Sequence, residues 1–251
     1  MTRRRLDDEL VARGLYPSRA RASDAIRRGA VQVSGKVVSK AGQPVASDAV
    51  ITLDDAAQTY VSRAALKLVH ALDHFGLSPQ GCDCLDIGAS TGGFTQVLLE
   101  RGCAHVTAID VGHDQMAQRL RDNPRVTLIE GLNARELTRA HLHASPDFVV
   151  ADVSFISLKL ALPPALALAK PGARLVALIK PQFEAGRERI GKGGVVVGDD
   201  IHATICADIA DWTKNQEWRV IGVTPSPIEG GGGNREFLIA AEKPLIAAEK
   251  P

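Results

Sequence analysis

From residue 62 onward the sequence alternates short apolar runs with stretches of helical spacing: "CLDIG", "FTQVLLERG", "HVTAIDV", "DQMAQRLRD", "RVTLIEG", "DFVVADV", "LKLALPPALALA", "ARLVALIK", "HATICADIADWT", "WRVIGVTPSP" and "REFLIAAEK". No other feature restricts the fold as much. Runs that are apolar at consecutive positions suit strands covered on both faces, so the alternation predicts an α/β body: a mainly parallel sheet with helices on both sides. Ahead of it, "SRAALKLVHALDHFGL" reads as a helix capped by Ser62, with Ala65, Leu68, Val69 and Leu72 as its apolar face. At 251 residues, 45% of them hydrophobic, the chain can bury a large core and still carry a second, smaller domain.

The least polar stretch, Leu160 to Ala169, lies between Lys159 and Lys170 and contains Pro163-Pro164. It falls well short of the roughly 20 apolar residues of a membrane span. Arg3, Arg4 and Arg5 resemble the start of a signal peptide, but Asp7, Asp8 and Glu9 stand where its apolar core belongs. The expected location is the cytoplasm. Cys82, Cys84, Cys103 and Cys206 have neither disulfide-framework nor zinc spacing, so reduced thiols and no metal are expected.

Charge is unevenly spread. Residues 1–60 hold ten Lys/Arg against seven Asp/Glu, while the rest hold 20 against 22. A cationic head on a near-neutral body points to a polyanionic partner, most often nucleic acid. The head reads as two short helices, the first stopped by Gly14, the second capped by Ser18 and ended by Gly29. A hairpin then spans Val31 to Val38 around Ser34-Gly35. Ala22 and Ile26 form the inward stripe of the second helix, whereas Arg21 and Arg28, two turns apart, share an outward direction. Candidate RNA contacts are Arg4, Arg19, Arg21, Arg27, Arg28, Lys36 and Lys40.

"LDIGASTGGF" joins the first body strand to a helix. Its glycines permit a sharp turn and close approach to a ligand, and the helix start presents free N–H groups. Asp110 ends the next strand, where a carboxylate can accept both ribose hydroxyls of an adenosine. NAD and S-adenosylmethionine both offer that ribose. Ser90 occupies the second glycine position of a dinucleotide fingerprint, and D-x-G-x-x-x-G-G suits adenosylmethionine better. Candidate cofactor residues are Asp86, Gly88, Ser90, Gly92, Gly93, Phe94, Asp110, Asn133 and Asp152. In "LVALIKPQFE" a buried-strand pattern ends on Lys180 with Pro181 behind it, which biases the lysine toward extended backbone at the sheet rim where ligands collect.

Two resemblances follow. "RGLYPSRARASDAIRRGAVQVSGKVVSKAGQPV" is similar to the alpha-L RNA-binding module, over residues 4 to 55. "YVSRAALKL", "LDIGASTGGFT", "AIDVG", "LNAR", "VVADVSFISL", "LIKPQFE", "GKGGVVV" and "GNREFL" occur in the order of the TlyA (hemolysin A) family. Its members resemble FtsJ-like ribosomal RNA ribose methyltransferases fused to an alpha-L module. That resemblance implies a Rossmann-like class I methyltransferase fold with a seven-stranded sheet, preceded by a small α+β RNA-binding domain. The implied division is 1–57 for the head, 58–61 for a linker and 62–251 for the body. It also implies S-adenosylmethionine as cofactor, ribosomal RNA or ribosomal subunits as partner, transfer to a ribose 2′-hydroxyl, and a catalytic tetrad at Lys67, Asp152, Lys180 and Glu236. Ala64, Ala65 and Gln96 depart from residues common in relatives, and the linker lacks the tryptophan that some carry.

Methyl transfer to an alcohol is an in-line displacement that needs positioning and a base but no metal. A free lysine is protonated at neutral pH; burial and a second ammonium nearby both disfavour the charged form. Lys180 is therefore expected to serve as general base, with Asp152 and Glu236 orienting the ammonium groups and keeping Lys67 charged. A catalytically silent assembly factor would keep the fold and lose the tetrad. A membrane-lytic hemolysin, suggested by the family's older name, would need a cationic amphipathic helix that the chain does not offer.

Overall fold

The computed structural model describes residues 3–185, 195–196 and 198–245. The chain divides into two compact units, residues 1–59 and 60–251.

The first unit runs β1 (Arg3–Arg5), α1 (Leu6–Ala12), α2 (Arg19–Arg27), β2 (Val31–Val33), β3 (Lys36–Val37), β4 (Pro44–Ala46) and β5 (Ile51–Leu53). Ser18 caps α2, its Oγ accepting from the Arg21 N–H. Ser34 (φ 50°) and Gly35 (φ 77°) both take the left-handed backbone that a tight antiparallel turn requires, so β2 and β3 pair as a hairpin. β5 adds antiparallel to β2, and β1 pairs separately with β4. Leu6, Leu10, Tyr16, Ala22, Ala25 and Ile26 form the core between the helices and this small sheet.

The second unit contains α3 (Ala65–Phe75), β6 (Asp83–Ile87), α4 (Gly93–Glu100), β7 (His105–Asp110), α5 (Gln118–Arg121) and β8 (Val126–Glu130). There follow β9 (Phe148–Ala151), α6 (Leu158–Ala161), α7 (Pro163–Leu168), β10 (Arg174–Ile179), α8 (Pro181–Glu184), α9 (Asp199–Asn215), β11 (Arg219–Pro225) and β12 (Phe237–Glu242). The seven strands lie in the order β11-β12-β10-β9-β6-β7-β8. From β10 to β8 every pairing is parallel, whereas β12 runs antiparallel between β10 and β11. This is the doubly wound α/β fold expected, with one reversed strand. The chain reverses its winding between β6 and β9, and the crevice at their C-terminal ends is where such sheets bind ligands.

Strand pleating explains the continuous apolar runs. Leu85, Ile87, Val149, Ala151, Leu175, Ala177 and Ile179 face one core with α6, α7 and α9, while Cys84, Phe148, Val150, Val176, Leu178 and Leu238 face the other with α3 and α4. Each strand position is thus covered by one helical layer or the other. Truncating a fully buried leucine such as Leu178 to alanine would cost about 2–5 kcal/mol.

Three local expectations differ. Ser62 does not cap α3: the helix begins at Ala65 behind Ala64, and Ser62 Oγ instead accepts from the Ala64 N–H at 3.2 Å. Ser62 is held there by packing, since a Cβ on Gly93 would come within 2.9 Å of the serine Cβ. The helix read from "DQMAQRLRD" shrinks to the four residues of α5, because Gln115 reaches back to Ser90 Oγ at 3.0 Å and Asp114 turns left-handed (φ 55°). Pro163, which has no N–H to continue a helix, splits "LKLALPPALALA" into α6 and α7. The "GKGGVVV" run, residues 191–197, lies mostly outside the described residues.

Candidate active site

Pleat parity gathers the ionisable groups. Asp152 and Lys180 lie one residue past the ends of β9 and β10, and Glu236 one residue before the start of β12, in phase with Val150, Leu178 and Leu238 on the face that packs against α3. α3 brings Lys67 to that same face, between the core residues Ala65 and Leu68. Lys180 directly follows Ile179 and Glu236 directly precedes Phe237, and these two are paired on neighbouring antiparallel strands.

The four side chains form two ion pairs. Lys67 Nζ donates to Glu236 Oε2, both groups being buried. Lys180 Nζ stands 2.6 Å from Asp152 Oδ1 and donates to Ser154 Oγ at 2.9 Å. The two acids divide between the lysines: Asp152 sits on Lys180 and Glu236 on Lys67. The reason is positional. β9 borders β10 directly, while the antiparallel entry of β12 delivers Glu236 under α3. Lys180 keeps extended backbone (φ −110°, ψ 100°), with Pro181 opening α8 behind it.

Gly88 and Ser90 of the glycine loop line a cleft of about 1200 Å³. Gly88 (φ 81°) lies so close to the β9 end that a Cβ would meet the Asp152 carbonyl oxygen at 2.7 Å, and on Gly92 (φ 93°) a Cβ would strike Leu120 at 2.4 Å. Asp110 stands at the cleft wall, Oδ2 accepting from the Ser90 N–H at 2.8 Å and Oδ1 from the Gly112 N–H at 2.7 Å. Each oxygen keeps a lone pair for a further donor. Asn133 also lines the cleft, its Oδ1 accepting from Arg135. A smaller recess of about 150 Å³ is walled by Ser62, Gly88, Gly93, Asp152, Ser154 and Lys180. Cleft, glycine cradle and Asp110 together fit an adenosine-bearing cofactor.

Two candidates stand elsewhere. Asp86 is wholly buried beneath the loop, with Thr95 Oγ1 donating to its Oδ2 at 2.6 Å and Oδ1 left without a partner among the described residues. Its parity points it inward under α4, so it supports the loop from behind. Burial pushes its carboxyl up to about 7 against the Thr95 hydrogen bond, and the charges of Asp152 and Asp110 add to the rise. Phe94 sits with its ring in the core, 3% exposed, and borders the smaller recess.

In the head, Arg28 does not point outward. Its guanidinium lies on Asp24 at 2.8 Å and on both oxygens of Asp55 at 2.8 and 3.0 Å. The Asp55 side chain is 1% exposed, and a buried carboxylate requires such a partner. Burial alone would push that carboxyl up, but Arg28, Tyr16 and the Ala57 N–H outweigh it and hold it below its ordinary value. Arg21 likewise turns to the Ala57 carbonyl at 3.1 Å. Arg4 pairs with Glu9, and Arg19 with Asp7 and Asp8, while both remain more than half exposed. Arg27 is exposed and 3.9 Å from Asp24; Lys36 and Lys40 are exposed, with no ion pair among the described residues.

Reading the sequence missed three groups. Ser154 is the hydrogen-bond partner of Lys180. Glu184 accepts from Ser157 Oγ at 2.5 Å and the Leu158 N–H at 2.8 Å, tying α8 to the start of α6. Phe155, 91% exposed with φ 65°, stands at the cleft rim, its ring 5.1 Å from that of Phe183. All three lie inside "DVSFISL" and "KPQFE", so the motifs marked the place but not the contacts.

Comparison with known proteins agrees with this layout. The FtsJ-like methyltransferase family matches residues 60–243, and the S4 domain family matches residues 4–51. The chain is 44% identical over 238 residues to the 16S/23S rRNA (cytidine-2′-O)-methyltransferase TlyA of Mycobacterium tuberculosis, covering 94% of this chain and 89% of that protein. It is 39% identical over 236 residues to Hemolysin A of Brachyspira hyodysenteriae, covering 93% and 98%. A solved structure from Streptococcus thermophilus, 39% identical, superposes with a TM-score of 0.76 over 97% of this chain and 90% of that one. The chain belongs to the FtsJ-like methyltransferase family, in the TlyA (hemolysin A) branch that carries an S4 domain ahead of the methyltransferase fold.

Proposed function

We propose that the protein methylates a ribose 2′-hydroxyl of ribosomal RNA, with S-adenosylmethionine as donor, and that Lys180 is the general base. The observation that carries this reading is the pair of lysine–carboxylate contacts brought by pleat parity to the rim beside the glycine cradle. When bound, S-adenosylmethionine supplies a methyl group on a positively charged sulfur, open to attack by an oxygen. Asp110 would hold the ribose hydroxyls of the cofactor, and the backbone from Gly88 to Gly93 would seat the rest. Asn133 lines the same cleft.

Lys180, acting in its unprotonated form, would take the proton of the 2′-hydroxyl as that oxygen accepts the methyl group. The buried Lys67–Glu236 pair supports the same rim from α3, and holding the reactants in line supplies much of the acceleration. RNA is the acceptor because a 2′-hydroxyl exists only there. The relatives named for ribosomal RNA methylation support the substrate class, and the S4 domain supports docking on structured RNA.

Lys180→Ala is expected to lower tritiated-methyl transfer to ribosomal subunits by about 100-fold or more while adenosylmethionine binding, followed by calorimetry, survives. Turnover near the wild-type level would reject Lys180 as base. Mapping 2′-O-methylation in ribosomal RNA from cells with and without the protein identifies the nucleotide; an unchanged map would reject the substrate class.

A further inference from the structure

We infer that Ser154 is a positioning residue for the reaction: its hydroxyl sets the rotation of the Lys180 amine, so that the nitrogen lone pair faces the acceptor oxygen. The inference rests on the reading of Lys180 as base. A neutral amine has two N–H bonds and one lone pair, so its usefulness as a base depends on where those bonds are pinned. Asp152 attracts the nitrogen at 2.6 Å, which fixes its place. Ser154 Oγ, 2.9 Å away, is the acceptor in good geometry. With one N–H committed to Ser154 and the other drawn to the carboxylate, the lone pair is left the remaining tetrahedral direction. Lys180, Asp152 and Ser154 all wall the small recess beside the glycine loop.

Backbone geometry gives independent support. Phe155, directly after Ser154, holds φ at 65°, a left-handed conformation costly for an aromatic residue. Such strain persists only where the surroundings over-determine the chain. Here the Asp152 N–H donates to the Ile87 carbonyl at 3.0 Å on one side, and Glu184 grips Ser157 and Leu158 on the other. The loop between those anchors is thereby bent so that Ser154 meets Lys180.

The test compares Ser154→Ala and Ser154→Thr in the full-length protein. Ser154 is exposed, so both variants should fold, and thermal unfolding with adenosylmethionine titration checks this. Loss of one oriented hydrogen bond should lower kcat about tenfold in Ser154→Ala, with KM for ribosomal subunits and affinity for adenosylmethionine within about twofold of wild type. Ser154→Thr, which keeps the hydroxyl, should recover most of that loss. An unchanged kcat in Ser154→Ala, a threonine variant as slow as the alanine one, or an equal fall in cofactor affinity would overturn the assignment. Lys180→Ala, run in parallel, separates the two ideas: if it turns over normally the base reading fails, whereas a dead Lys180→Ala beside a fully active Ser154→Ala removes Ser154 alone.

Discussion

Asp86 shows how one residue can serve the site without touching it. Its carboxyl is buried under the glycine loop and pushed up to about 7, burial being the largest cause and the Thr95 hydroxyl opposing it. A carboxyl whose folded value lies above its unfolded one binds more protons in the native state. Its stabilising contribution is therefore complete below the unfolded value near 3.8 and is lost as pH rises through about 7. Between pH 6 and pH 8 this single group should withdraw about 1 kcal/mol of stability. Asp86→Asn keeps an acceptor for Thr95 and abolishes the titration. Urea unfolding at the two pH values should show the wild type losing stability relative to the variant as pH rises; parallel curves would mean that Asp86 does not titrate in this range.

At the level of elements, the rim is assembled by a clip between α8 and α6. Glu184 is raised above its ordinary value, chiefly by burial, against the pull of the Leu158 N–H and the Ser157 hydroxyl. Removing the clip with Glu184→Ala leaves the start of α6 without its carboxylate partner, a loss of about 1–2 kcal/mol. Amide exchange of residues 153–158 should quicken and kcat should fall, while Glu184→Gln, which retains an acceptor for Leu158, should behave nearly as wild type. Slow exchange in Glu184→Ala would show that the loop is held by other contacts. Much of this rim was legible beforehand: an apolar run closed by lysine and proline put Lys180 at a strand end, and "DFVVAD" did the same for Asp152. The partners were not legible. Which acid meets which lysine depends on the antiparallel entry of β12 between β10 and β11, a tertiary fact with no local pattern. Ser62 read as a cap because Ser before an apolar helix usually is one, but packing against Gly93 moved the helix start to Ala65. The outward Arg28 failed for a similar reason, since its partner Asp55 stands 27 residues along the chain.

For the whole molecule, the charge asymmetry separates two kinds of basic residue that the sequence presents alike. Residues 1–60 carry a surplus of three positive charges and the rest a deficit of two, so attraction to RNA that ignores base sequence is expected chiefly from the head. Lys36 and Lys40 are exposed and carry no ion pair among the described residues, and Arg27, 68% exposed, gives up only a 3.9 Å contact with Asp24, so all three can meet phosphates. Each alanine substitution there should weaken binding of ribosomal RNA at low salt and reduce the slope of log affinity against log salt by about one, leaving unfolding within about 0.5 kcal/mol of wild type. Arg28→Ala should do the reverse. It strips Asp55 of a bidentate partner and leaves that buried carboxylate with Tyr16 and the Ala57 N–H, at a cost of about 2 kcal/mol and with little change in salt slope. Filter binding across a salt series, alongside urea unfolding of the same proteins, distinguishes the two groups. If Arg28→Ala lowers the salt slope as much as Lys36→Ala does while remaining fully stable, then its guanidinium leaves Asp55 to bind RNA, and the ion pair is a resting arrangement rather than part of the head's framework.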